Sequence, residues 1–276
     1  MHLENVQFIF NRAFSHTLSK KKLLGTSMVL LLCSLLIVFF RSLAMNAGAW
    51  MRLSLVFLPI FLCAGVLLAM GIILIRIYHD EVKQKPVKYW NIIYQSLDVV
   101  LGASYLSIPI ILSYLLLWML LGIFFLLNSI PGIGNFFGVI LAFAPFLLNL
   151  GAILLCIVSV STLFFVAPVI ALKGDNRMQL AELVARRCKY KLFFNLLLAT
   201  IAALPLILLG GVLTITAFIT DATSIPCQEP LYAMIQWFIM MIPFAILSSP
   251  AVIFFFNFSA ESYVLLQKSK KSESLS

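Results

Sequence analysis

Long uncharged apolar runs, each bracketed by basic or turn-forming residues, set the pattern of this chain. Leu23–Phe40 carries no charge and lies between Lys20-Lys21-Lys22 and Arg41. Leu53–Ile75 follows between Arg52 and Arg76, and a third run over 99–127 ends at the turn-forming Asn128-Ser-Ile-Pro-Gly-Ile-Gly134. Later runs cover Phe136–Leu172, Leu192–Phe218 and Met234–Phe258, the last stopping near Glu261. A hydrocarbon layer about 30 Å thick needs roughly 20 residues of apolar helix. The pattern therefore predicts an all-α integral membrane protein, a single transmembrane domain over residues 1–276 with spans at 23–40, 53–75, 99–127, 151–172, 192–218 and 234–258.

The fourth run is long enough for one span and a half, or for two short spans turning near Asn149-Leu-Gly151. The choice sets the side of everything after it. The following loop carries Lys173, Arg177, Arg186, Arg187, Lys189 and Lys191, and basic residues accumulate in cytoplasmic loops. One span at 151–172 puts them inside, so six spans is the reading and seven the alternative. Residues 136–145 then form a re-entrant segment or part of the fourth span, which needs protein cover for irregular backbone.

Segments with helical periodicity precede the odd-numbered spans. Val6, Phe10, Phe14 and Leu18 form an apolar stripe before the first, with Gln7 and Asn11 opposite. Before the third, Lys88, Asn91, Gln95 and Asp98 oppose Val87, Trp90, Tyr94, Leu97 and Leu101. Before the fifth, Gln179, Glu182, Arg186 and Lys189 repeat the same polar spacing. The expected unit is a cytoplasmic juxtamembrane amphipathic helix followed by a helical hairpin, used three times.

Composition sharpens the class. Of 276 residues, 63% are apolar and 11% charged, and the mean hydropathy is +1.09. Soluble domains carry about 25% charged residues. A soluble enzyme, a disordered tail and a nucleic-acid-binding domain are excluded, despite the formal charge of +9. With the N-terminus inside, only Arg41 and Arg52 of the 19 basic residues fall outside. The charge is thus an orientation signal: both termini are expected in the cytoplasm of a bacterial inner membrane, with the basic face against anionic inner-leaflet lipids. The first span reads as an uncleaved anchor, because its apolar run exceeds a signal peptide's and Arg41 separates it from Ala47-Gly-Ala49.

Phe165-Val-Ala-Pro168-Val-Ile-Ala-Leu-Lys-Gly174, followed by Ala181-Glu-Leu-Val-Ala-Arg186 and a new apolar run, resembles the multi-pass membrane domain attached to some bacterial glycerophosphodiester phosphodiesterases and to related bacterial membrane proteins. The likeness covers about 165–205. It implies a span ending near an aromatic-Ala-Pro and a basic juxtamembrane helix leading into the next span. Arg186-Arg187 stands where an Arg-Ser pair is frequent in that family, and the phosphodiesterase barrel has no counterpart in the sequence. The resemblance therefore transfers an architecture and no catalytic residue.

Charged groups inside a bilayer mark function by default, and here they stand at span edges. Arg41, Arg52 and Arg76 are expected to snorkel into headgroups; Glu261 is expected to pair with Lys268 or to face solvent. His2, His16 and His79 are far apart, and His79-Asp80-Glu81 reads as a solvated run, since three adjacent helical side chains cannot converge on one ion. There is no zinc-protease, nucleophile-elbow or phosphate-loop motif. No catalytic residue, metal site or cofactor is predicted. Cys33, Cys63, Cys156 and Cys188 read as small apolar residues, and Cys227 stands alone outside.

Pro59, Pro109, Pro145, Pro168, Pro205, Pro243 and Pro250 are the candidate helix kinks. Asn149, Asn195, Gln236 and Asn257 are the candidate cavity-lining residues. Together these features predict a non-enzymatic scaffold, assembly partner or lipid-contacting module, whose partners are the lipid bilayer and another membrane protein. The alternative is a permease or facilitator for a small neutral or amphiphilic solute or lipid, rocking around a Pro-kinked core.

Overall fold

The computed structural model describes residues 3–45, 47–85, 89, 91–96, 107–130, 139, 143–173, 192–220 and 230–273. It is helical, with no strand among the described residues. A short helix α1 (Leu3–Ser15) leads into α2 (Lys20–Met45), α3 (Ala49–Val82), α4 (Ile108–Asn128), α5 (Ala144–Lys173), α6 (Leu192–Ile219) and α7 (Pro230–Glu273). The last six are each long and apolar enough to cross a membrane, as the six-span reading requires. α5 runs unbroken through Asn149-Leu-Gly151, so the turn needed by the seven-span alternative is not there. Residues 131–138 and 140–142, most of the expected re-entrant segment, and 174–191, where the third amphipathic helix was expected, lie outside the described residues.

From α2 to α5, consecutive helices run antiparallel. Cys63 of α3 donates to the Cys33 carbonyl of α2 at 3.6 Å, and Gly65 of α3 faces Ser107 at the start of α4. Gly151 of α5 faces Leu117 of α4. α3 and α5 are parallel neighbours, tied where Arg76 Nε donates to the Ala171 carbonyl at 3.3 Å. α4 packs on α3 and α5, and α6 packs on α7. Only 11% of the apolar stretch of α4, and of α6, is buried, against 44% for α3 and for α5. The two flanking helices present most of their surface outward.

α7 is the hub, contacting α1, α2, α3, α5 and α6. Its 44 residues exceed any single crossing, and residues 251–263 are buried without interruption. A helix buried all round must be enclosed by protein. Lipid supplies no hydrophobic drive for helices to associate, so close packing and interhelical hydrogen bonds hold the enclosure together. Phe254 packs edge-on against Phe10 of α1 at 5.0 Å between ring centroids, and Phe255 against Phe164 of α5 at 5.7 Å. The Phe256 ring lies over Gly71 of α3, where a Cβ would come within 2.2 Å of it. The Ser259 hydroxyl donates to the Phe164 carbonyl. The predicted sixth span, ending at 258, therefore stops inside the enclosed stretch, five residues before its end.

α1 buries a side adjacent to the predicted apolar stripe. Ile9 and Ala13 are buried at 2% and 0% exposure, whereas Phe14 and Leu18 remain 57% and 66% exposed. The reason is size. Ala13 lets the backbone of α1 approach α7 closely enough for Asn257 Nδ2 to donate to the Ala13 carbonyl at 3.3 Å; the larger rings flank that contact. In the second segment residues 91–96 are helical, with Ile92 and Ser96 buried and Tyr94 exposed. Tyr94 stands on the outward side, while Arg76 Nη1 holds the other side by donating to Ser96 Oγ at 3.0 Å and to the Gln95 carbonyl at 3.2 Å.

Pro59, Pro168, Pro205, Pro243 and Pro250 lie inside helices, as the kink reading needs. Pro109 and Pro145 do not. Each stands in the first turn of its helix, where a missing N–H breaks no intrahelical bond, so it starts the helix rather than bending it.

Candidate functional site

Where α1 meets the start of α2 and the ends of α3 and α7, six polar side chains gather. Lys22 sits one turn into α2 with its side chain wholly buried. Its Nζ donates to Glu81 Oε2 of α3 and, at 3.0 Å, to the carbonyl of His16. That carbonyl lies just past the C-terminal end of α1, where the helix dipole favours a cation. His16 Nδ1 is 3.7 Å from Glu81 Oε2, and its ring meets Tyr78 edge-on at 5.8 Å. The Tyr78 hydroxyl donates to Glu261 Oε1 of α7 at 2.7 Å. Arg12 of α1 completes the set, its Nε 3.6 Å from the same oxygen.

Each carboxylate thus has a cation and a further polar contact. Buried charges need both, because water no longer solvates them. The arrangement binds four helices through two ion pairs, with Tyr78 between them. Just outside it, Lys21 Nζ lies 5.0 Å over the Tyr89 ring. Burial, with the nearby Glu81 carboxylate, pushes the Tyr89 phenol above its ordinary value.

This cluster overturns three expectations drawn from the sequence. Glu261 does not face solvent but is buried under α1 and α3. Glu81 is not part of a solvated run, because α3 continues through it and turns it onto Lys22. Arg76 does not snorkel, since its guanidinium is engaged by Ala171, Gln95 and Ser96. At the opposite end Arg41 lies 4.3 Å over the Trp237 ring of α7, which joins it to protein as well. Among the described residues no group of three or more His, Cys, Asp or Glu side chains could hold a metal ion.

The four candidate cavity residues are not gathered at one place. Asn149 lines a narrow pocket of about 20 Å³ with Ser54, Tyr114 and Trp118, towards the end of the bundle remote from α1. Asn195 is buried near the start of α6. Asn257 is buried in α7 and fastens α1, while Gln236 is exposed near the other end of the same helix. Position at membrane depth could not separate these environments, because it says nothing about which face of a helix a residue occupies.

A larger cavity, about 180 Å³, lies between α3, α4 and α5. Phe61, Ala64, Leu68, Ile110, Leu163 and Val166 make its apolar wall, and Ser107, Ser159 and Thr162 contribute hydroxyls. Nothing in the sequence places Ser159 and Thr162 opposite Ser107.

Six helices long and apolar enough to cross a bilayer fit a multi-pass membrane protein. Comparison with known protein families, with curated proteins and with solved structures gives no match.

Proposed function

We propose that this chain is a non-catalytic polytopic protein of a bacterial inner membrane, acting as a scaffold, assembly partner or lipid-contacting module. The observation that carries the reading is the use made of its buried polar groups. Lys22, Tyr78, Glu81, Asn257, Ser259 and Glu261 are bonded from one helix to another. Groups bonded to each other stiffen a bundle and leave little to bind a moving ion. The outward faces of α4 and α6 offer broad apolar surface to lipid or to a partner helix. Phe8, Phe14 and Leu18, exposed beside Lys20 and Lys21, form a greasy and basic edge, which on this reading faces the anionic lipid of the inner leaflet. The layout of the phosphodiesterase-associated membrane domain, from Phe165 to Pro205, supports the same architectural role.

Purification in native lipid patches followed by mass spectrometry tests this reading. A defined set of co-purifying membrane proteins is expected, and recovery of bulk lipid alone would overturn the scaffold role. The cavity between α3, α4 and α5 favours a second reading, a facilitator for a small amphiphile. That reading expects a bound small molecule in the same preparation.

The orientation has its own test. Periplasm-active reporter fusions after Pro131 and Pro226 are expected to be active, and those after Lys85, Arg187 and Lys271 silent. Activity after Arg187 would overturn the cytoplasmic placement of the 173–191 loop.

A further inference from the structure

We infer that the cavity between α3, α4 and α5 is a binding site for a small bilayer-soluble amphiphile: one neutral oxygen-bearing head, hydroxyl or carbonyl, on a tail of about eight carbons. The inference goes beyond the scaffold reading and does not depend on transport.

Size sets the first limit. An apolar cavity of about 150 Å³ accommodates a benzene molecule, so 180 Å³ holds a molecule somewhat larger. A whole membrane lipid does not fit. The walls set the second limit, since Phe61, Ala64, Leu68, Leu163 and Val166 present hydrocarbon and, among the described residues, no charged side chain lines the space. An ionised ligand would lose its hydration without a counter-charge, which is far costlier than burying a neutral oxygen that finds a hydrogen bond.

The hydroxyls then specify a head. Ser159 is 5% exposed, and its hydroxyl has no hydrogen-bond partner among the described residues, although it faces the cavity. Its own carbonyl accepts from Thr162 Oγ1 at 2.7 Å, which fixes the Thr162 hydroxyl alongside. Ser107 is the N-cap residue of α4, yet its side chain makes no capping bond, so its hydroxyl is free to turn to the cavity. The first turn of α4 adds partial positive charge at the same place. Donors converging on an apolar pocket call for an acceptor oxygen on a hydrocarbon tail. The site lies along the middle of α3 and the second half of α5, so its ligand reaches it through the bilayer.

The test uses the full chain in lipid nanodiscs and a photoactivatable eight-carbon alcohol carrying a diazirine. Adducts are expected on 61–68 and 159–166, competed by excess 1-octanol at least fivefold better than by n-octane. Ala64→Leu, which fills the cavity from the α3 wall, is expected to reduce those adducts about tenfold without lowering the thermal midpoint. Should that variant fail to fold, Ser159→Ala, which only removes a donor, is expected to abolish the preference for octanol over octane. Adducts spread along the outward faces of α4 and α6 and insensitive to competition would overturn the site. Equal competition by octane would overturn the head-group assignment. Neither result bears on the co-purified proteins that test the scaffold.

Discussion

Replacing Glu81 by alanine is expected to destabilise the bundle by about 3–5 kcal/mol, the range for removing one partner of a buried ion pair. The reason lies with Lys22, whose side chain is wholly buried. Without Glu81 its ammonium keeps the His16 carbonyl as hydrogen-bond acceptor and the Tyr78 ring 5.8 Å away. Neither carries a compensating charge, so Lys22 must lose its proton or pull α1 away to reach water. The double variant Lys22→Met, Glu81→Met is expected to recover most of the loss, because two apolar side chains of similar length avoid the desolvation that the pair itself incurs. Reversible unfolding in mixed micelles, followed by helical ellipticity, measures both. A single-variant loss of about 1 kcal/mol or less, the size of an exposed surface pair, would mean that Lys22 is solvated and the docking of α1 drawn above is wrong.

Gly71→Ala is expected to destabilise by about 1–3 kcal/mol, the range for overpacking a filled core, although alanine is the better helix former by about 1 kcal/mol. The added methyl would stand 2.2–2.6 Å from three carbons of the Phe256 ring. That ring cannot swing aside: it is 1% exposed and sits 5.3 Å from the Phe255 ring, edge-on. Phe256→Leu in the same chain is expected to relieve the clash, giving a coupling of opposite sign to the single losses. Gly210→Ala on α6 is the control. Nothing lies within 4 Å of its Cβ position, so the same substitution there is expected to be neutral or stabilising. If both glycines behave alike, the close approach of α3 and α7 is not as described.

Much of the fold was legible in the residues. Uncharged length located the six spans, because the bilayer imposes a length that no packing detail overrides. The loop charges made one span at 151–172 the better reading, and α5 is continuous there and begins seven residues earlier. Facing was less legible. The α1 stripe was assigned to the large rings, but close approach to α7 selects the small Ala13. Pro109 and Pro145 were weighed by type, although a first-turn proline costs no hydrogen bond.

The polar cluster escaped sequence reading because its members lie up to 249 positions apart, from Arg12 to Glu261, and each alone looks like a solvated edge residue. One signal was available. Asn257 and Glu261, four apart, share one face of the helix and Ser259 and Ser262, three apart, share another, so polar groups stand on two of its sides. Such a segment has to be enclosed by protein, and the whole of 251–263 is.

That enclosure has a consequence for assembly order. α7 follows in the chain every helix that it holds together, so α1, α2, α3, α5 and α6 are made before their common contact exists. α2 and α3 are sequence neighbours and can join Lys22 to Glu81 as soon as both have inserted. Ala13 and Tyr78 wait for α7, which alone brings Asn257 and Glu261. The nascent bundle therefore passes through a stage with a polar-lined groove open at the α1 end, shut by the arriving helix. A chaperone or insertase serving this chain would have to shield that groove until residues 251–263 emerge.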